Sequence, residues 1–175
     1  TNPYDLAYDI HGVGFRTADN MALKLGFEPD SNERLQVAVI YVLFKMSEQG
    51  HLFYPREDLL AKVVETLGGD IDGDLVDRAV DSLQEKKRIH ICNLPEQGIL
   101  EAVYLAYFFR VEKEIASRLY FMQSHPAAVS EEKILKIMPE IEKKEMLALS
   151  RQQKDAILAA CLNKVCVITG GPGTG

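Results

Sequence analysis

Between residues 33 and 87 the apolar side chains recur every three or four positions, in three separate runs. Leu35, Ala38, Val39, Val42, Leu43 and Met46 make one stripe. Leu59, Leu60, Val63, Val64 and Leu67 make a second, and Leu75, Ala79, Val80 and Leu83 a third. That spacing places each set on one face of a helix, and three such faces must bury one another. The predicted helices are 33–49, ended by Gly50, then 56–67 and 74–87. A chain patterned this way is mainly α, with a minor β component.

The β component is short. His51-Leu52-Phe53-Tyr54 reads as a strand between the first two helices, and Ile89-His90-Ile91-Cys92 as another after the third. Asn93 to Gly98 is turn chemistry, and 99–107 contains a returning strand. The order helix, strand, helix, helix, hairpin over 31–108 resembles a winged-helix domain. In DNA-binding members of that fold the third helix enters the major groove. Here that helix carries Asp74, Asp77, Asp81 and Glu85 on its expected outer face, against Arg78, Lys86 and Lys87. Carboxylates repel phosphates, so a structural or protein-contacting domain is the expectation.

Ahead of it, 1–30 reads as two short helices. Asn2-Pro3 opens the first, which runs to about Ile10, with a capping residue followed by a proline at a position needing no N–H. His11-Gly12-Val13-Gly14 is a tight turn. A second helix runs from about Arg16 to Leu25 and is closed by Gly26. The pattern resembles the helix-hairpin-helix motif, with Ile10, Gly12, Val13, Gly14, Ala18 and Ala22 in register. In that motif backbone N–H groups at the hairpin and at the second helix N-terminus hold a DNA phosphate. The DNA-binding candidates are therefore Gly12, Val13, Gly14, Arg16, Thr17 and Lys24. The same hairpin also occurs in purely packing roles.

Residues 109–147 read as a helical connector. Val111, Ile115, Leu119 and Met122 share a face, and His125-Pro126 ends their helix. Ser130 caps another, opened by Glu131 and Glu132, which Pro139 should kink or restart. Glu142, Lys143, Lys144 and Glu145 read as a solvated face. Ser150 caps a last helix to about Leu162.

The final segment, 148–175, points to a nucleotide. Val165-Cys166-Val167-Ile168 is apolar and β-branched, as a buried parallel strand is, and runs into Thr169-Gly170-Gly171-Pro172-Gly173-Thr174-Gly175. Gly170 and Gly175 fit the two glycines of G-x-x-x-x-G-K-[S/T], whose N–H groups cradle phosphates. The lysine and hydroxyl residue that complete it are not in the chain. The strand has no sheet to join, so an irregular loop is expected. Upstream, Leu149, Ser150, Gln153, Ala156 and Ile157 match the pattern L-[S/N]-x-x-Q-x-x-A-[I/V] of superfamily 1 helicases, whose glutamine reads the adenine edge. Ser150 with Gln153 is also a capping box. The ATP-binding candidates are Gln153, Gly170, Gly171, Pro172, Gly173, Thr174 and Gly175.

Together these segments resemble RecD/TraA-type bacterial DNA helicases with a long N-terminal region. Asn2-Pro3-Tyr4 and Gly12-Val13-Gly14-Phe15-Arg16-Thr17-Ala18-Asp19 are similar to the family's N-P-Y-x-L … G-[I/V]-G-F-x-x-A-D. Gly50-His51, Pro55-Arg56-Glu57-Asp58-Leu59-Leu60 and the glycine loop are similar too, and 120–147 is the weakest part. The resemblance implies the N-terminal region of a 5′-to-3′, ATP-dependent, monomeric superfamily 1B helicase, working in DNA repair or recombination. It implies ATP and Mg²⁺ for the full-length protein, none held tightly by this segment, and single-stranded DNA or a junction as partner. A subunit of an exonuclease complex, exodeoxyribonuclease V alpha, is an alternative setting. So is a scaffold for repair proteins, or another P-loop ATPase.

The chain has 47% hydrophobic and 26% charged residues and a net charge of −6, which argues against blanket electrostatic binding of nucleic acid but leaves room for a local site. No apolar stretch is long enough to span a membrane. Three scattered cysteines (Cys92, Cys161, Cys166) suit a reducing cytoplasm and no structural zinc. Asp70-Ile71-Asp72-Gly73-Asp74 hints at a calcium loop, but Leu75 and Asp81 occupy the positions that need glycine and glutamate. No catalytic or metal-binding residue is assigned.

Overall fold

The computed structural model describes residues 15–125 and 128–171. The chain divides into two units, Thr1–Glu112 and Lys113–Gly175. Gly12, Val13 and Gly14, the helix expected before them, and Pro172 to Gly175 lie outside the described residues.

In the first unit α1 covers Phe15–Lys24 and α2 covers Asn32–Glu48. Ser31 caps α2, its hydroxyl accepting from the Arg34 N–H at 3.4 Å. Strand β1 is Phe53–Pro55, followed by α3, Arg56–Thr66, and α4, Gly73–Glu85. Asp72 caps α4 by accepting from the Asp74 N–H at 3.0 Å. Strands β2 (Ile89–Leu94) and β3 (Ile99–Leu105) form a hairpin over a single turn of 3₁₀ helix, Pro95–Gln97. The sheet is antiparallel in the order β1-β3-β2, with Tyr54 opposite Val103 and Ile91 opposite Val103 on its other side.

The core lies where the three sequence stripes meet. Leu35, Val39, Leu59, Val63, Val76, Val80 and Val103 are fully buried, and Phe15, Ala18 and Ala22 of α1 join them. One phase differs from expectation. Val76 is buried and Leu75 only partly so, because Val76, Ala79, Val80 and Leu83 follow the three- and four-residue spacing of one stripe, which Leu75 flanks. The strand expected at 51–54 begins instead at Phe53. His51 belongs to the end of α2, its N–H reaching the Met46 carbonyl at 3.0 Å.

That reach-back over five residues recurs. Within the first unit it closes α1 (Phe27 to Ala22), α3 (Gly69 to Val64) and α4 (Arg88 to Leu83) as well. The residue before each donor must turn left-handed. Gly26, Gly50 and Gly68 do so in three cases, but at α4 the position is Lys87, at φ +57°. Lysine carries a Cβ there, which disfavours the conformation.

Helix α5, Ala106–Gln123, leads into the second unit, which holds α6 (Glu131–Lys144) and α7 (Arg151–Leu162). Pro139 lies inside α6, which does not restart there. Its ring removes the bond to the Leu135 carbonyl, but Leu135 is exposed and water can take that bond, while Met138 is buried and holds the turn. Residues 165–168 form no strand; Val167 is 82% exposed and Ile168 66%. No other strand is described in this unit, so their backbone groups have no ladder to join. Gly170 and Gly171 are irregular, as expected of the loop.

Candidate functional site

Helix α1 presents two stripes. Phe15, Ala18, Asp19 and Ala22 face inward, and Arg16, Thr17, Asn20 and Lys24 are exposed. Arg16, Asn20 and Lys24 follow one another at four-residue intervals, so they line one ridge. Neither Arg16 nor Lys24 has an ion-pair partner among the described residues. Phe15 stacks on Tyr41 with ring centroids 4.8 Å apart, fixing the start of the helix against α2. Beside this stack is a cleft of about 410 Å³, lined by Arg16, Tyr41, Lys45, Met46, Lys62 and Glu65 among others. Two of its three cations are already paired, Lys45 with Glu48 and Lys62 with Glu65, each at 2.7 Å. Those hydrogen bonds, and then the carboxylate charges, raise both lysine pKa values. Arg16 is the cation left to act on something else.

What holds α1 in place is a pair that the sequence reading missed. The Arg34 guanidinium donates to both carboxylate oxygens of Asp19, Nε to Oδ1 and Nη2 to Oδ2, each at 2.7 Å. Its Nη1 donates to the Pro29 carbonyl at 2.6 Å. The two side chains are 4% and 10% exposed. The signal was available: Asp19 falls on the inward stripe of α1 and Arg34 beside Leu35 on α2, and a charge at a buried phase demands a counter-charge.

The acidic face of α4 is not simply solvated, as the sequence reading had it. Asp77 is half-buried, and Arg56 binds it through Nε at 2.7 Å, binds Asp81 through Nη2 at 2.6 Å, and reaches Glu101 at 3.3 Å. Burial opposes the Arg56 charge, but the hydrogen bonds from Asp77 and Asp81 outweigh it and raise its pKa. Part of the negative charge on α4 is thus neutralised within the unit. Nearby, burial and then the Glu112 carboxylate push the Tyr104 hydroxyl up to about 12.

In the second unit, Gln153 is exposed and the capping box is complete. Its Oε1 accepts from the Ser150 N–H at 2.8 Å, and the Ser150 hydroxyl accepts from the Gln153 N–H at 3.3 Å. Glu142, expected in the solvated face, turns out to be a link between helices. It accepts from Lys154 Nζ and from the Leu149 N–H, both at 2.9 Å. The Lys154 bond first, then the Leu149 N–H, lower its pKa below 4.5. A lowered folded-state pKa gives stability that is present above 4.5 and lost as pH falls through the folded value. Acid titration downward from 4.5 should therefore loosen the α6–α7 pair, seen as a fall in Tm that Glu142→Gln abolishes. Parallel falls in both proteins would remove Glu142 from this role.

Residues 1–53 match the family model of the ATP-dependent RecD2 DNA helicase HHH domain. Over 174 residues the chain is 29% identical to the ATP-dependent RecD2 DNA helicase of Deinococcus radiodurans, covering 95% of the chain and 24% of that protein. The chain thus spans about a quarter of the length of this curated relative. The resemblance read from the sequence is to this kind of protein, and both comparisons support an N-terminal region of a RecD-like helicase. The matched segment contains α1, α2 and the Asp19–Arg34 pair that joins them.

Proposed function

We propose that this chain is the DNA-engaging N-terminal region of a RecD-like, ATP-dependent 5′-to-3′ DNA helicase that works in DNA repair or recombination. The observation that carries the reading is the coincidence of the helix-hairpin-helix match with the exposed Arg16, Thr17 and Lys24 on a helix locked from behind. Backbone N–H groups of the hairpin, with Arg16 and Thr17 at the first turn of α1, take a phosphate of single-stranded or junction DNA. Residues 31–108 act as a winged-helix-like platform, a reading supported by the helix order and the strand order β1-β3-β2. Residues 148–175 begin the motor, where Gln153 meets adenine and the glycine loop meets the phosphates, with ATP and Mg²⁺ used by the full-length protein. The segment itself carries no catalytic residue. Among the described residues no helix is long and apolar enough to cross a membrane, and the protein acts in the cytoplasm as a monomer.

The test is a salt-titrated binding assay on the full-length protein with single strands, duplexes and forks. Arg16→Gln with Lys24→Gln should weaken binding to all of them and reduce the salt slope by about 1–2, the signature of lost phosphate contacts. Unchanged binding by a folded variant would sink the DNA role of α1. A scaffold for repair proteins would then lead, favoured by the exposed Ile115, Leu119 and Phe121 of α5. For the nucleotide, Gln153→Ala should raise KM for ATP and relax selection against other triphosphates, an effect of about 1–3 kcal/mol. A lower Tm with nucleotide preference intact would leave Gln153 as a cap only.

A further inference from the structure

A second cationic cleft lies on the first unit, built from different elements. The C-terminal end of α4, the start of β2 and the first turns of α5 enclose about 660 Å³, lined by Gln84, Lys87, Ile89, His90, Phe109 and Arg110 among others. Its only full charges are Lys87 and Arg110, and no carboxylate lines it. Neither cation has an ion-pair partner among the described residues. The neighbouring cations differ: Lys86 donates to the Gln36 side chain at 2.9 Å, while Arg88 is exposed. The nearest acid on α5, Glu112, engages the Tyr104 hydroxyl instead. Two unpaired cations set together in a chain of net charge −6 are a local exception to its overall charge.

The backbone adds a separate argument. Lys87 occupies the left-handed position that glycine fills at the ends of α1, α2 and α3. Glycine would satisfy the helix end with less strain; Met146 makes the same turn at the end of α6, but Lys87 is the one that brings a cation to this cleft. His90 and Phe109, stacked on each other with ring centroids 3.6 Å apart, line the same cleft. Cations grouped with aromatic rings are one means by which proteins hold a nucleic-acid strand, through phosphates and stacked bases or sugars.

We infer that this cleft binds the phosphate backbone of a DNA strand, with Lys87 and Arg110 as the phosphate contacts. It is a second DNA contact, independent of Arg16 and Lys24. The strand crosses the base of the β2–β3 hairpin and the C-terminal end of α4.

The test uses the full-length protein, labelled oligothymidylate and a blunt duplex, in fluorescence anisotropy across a salt titration. Lys87→Gly with Arg110→Gln should weaken binding about tenfold at low salt and reduce the salt slope by about 2. Lys87→Gly alone should raise Tm, so a loss of binding is not a loss of fold. Lys143→Gln with Lys144→Gln makes the same change in net charge elsewhere and should have less than half that effect. Equal loss in this control, or unchanged affinity and slope in the cleft variant, overturns the assignment. If poly-glutamate binds as tightly as oligothymidylate and the cleft variant loses both alike, the cleft is a general anion site and the DNA assignment falls. The arms also separate the two contacts. Loss with the cleft variant but not with Arg16→Gln and Lys24→Gln supports this site and removes α1, and the reverse result supports α1 and removes this site.

Discussion

Asp19→Ala should destabilise the first unit by about 3–5 kcal/mol, measured by urea denaturation, because it strips a buried guanidinium of its counter-charge. Arg34 would keep the bond to the Pro29 carbonyl, with its side chain 4% exposed and little water to replace the lost carboxylate. The loss lies in the orphaned charge more than in the pair itself. Replacing both partners, Asp19→Ala with Arg34→Met, should therefore recover a large part of it, since apolar groups of similar volume often serve as well as a buried ion pair. A single-variant loss below about 1 kcal/mol would mean that the site opens to solvent and that the pair does not lock α1. The same variant should weaken DNA binding, because the pair fixes the helix that carries Arg16 and Lys24.

Leu59→Ala should cost about 2–5 kcal/mol in the same measurement, the range for a large-to-small change at a site that cannot collapse. Leu59 is fully buried on α3, among side chains of α2, α4 and β3. Leu60, one position on, is only partly buried against that core, and Leu60→Ala should cost less than half as much. Equal costs for the two would show that the burial pattern misplaces the inner face of α3.

Elements were legible where one local rule acted alone. Gly26 and Gly50 marked the ends of α1 and α2 because their left-handed turns favour glycine. The end of α4 carried no such mark, since Lys87 makes the same turn. The apolar stripes placed most of the core, but on α4 both Leu75 and Val76 are apolar and adjacent, and only packing against α2 and α3 decides which of them turns inward. Glu142 read as solvated because its partners are Lys154 and the Leu149 N–H, which only the return of α7 brings near. Of the exposed face of α1, Arg16, Thr17 and Lys24 were legible in composition. The lock behind it was not, because Asp19 and Arg34 are 15 positions apart and the periodicity of each helix says nothing of the other. Val165 to Ile168 has the composition of a strand, yet a strand is a property of a pair.

The capping box at Ser150 divides the two ends of one amide between two tasks. Oε1 of Gln153 is committed to the helix start, and among the described residues Nε2 is not engaged. A purine edge that asks only for a donor meets Nε2 with α7 undisturbed. Full two-point recognition must take Oε1 from Ser150 and open the first turn, at a cost of about 1 kcal/mol. On the proposed nucleotide role of Gln153, the helix start would then behave as a latch, with discrimination among bases obtained at the expense of its firmness.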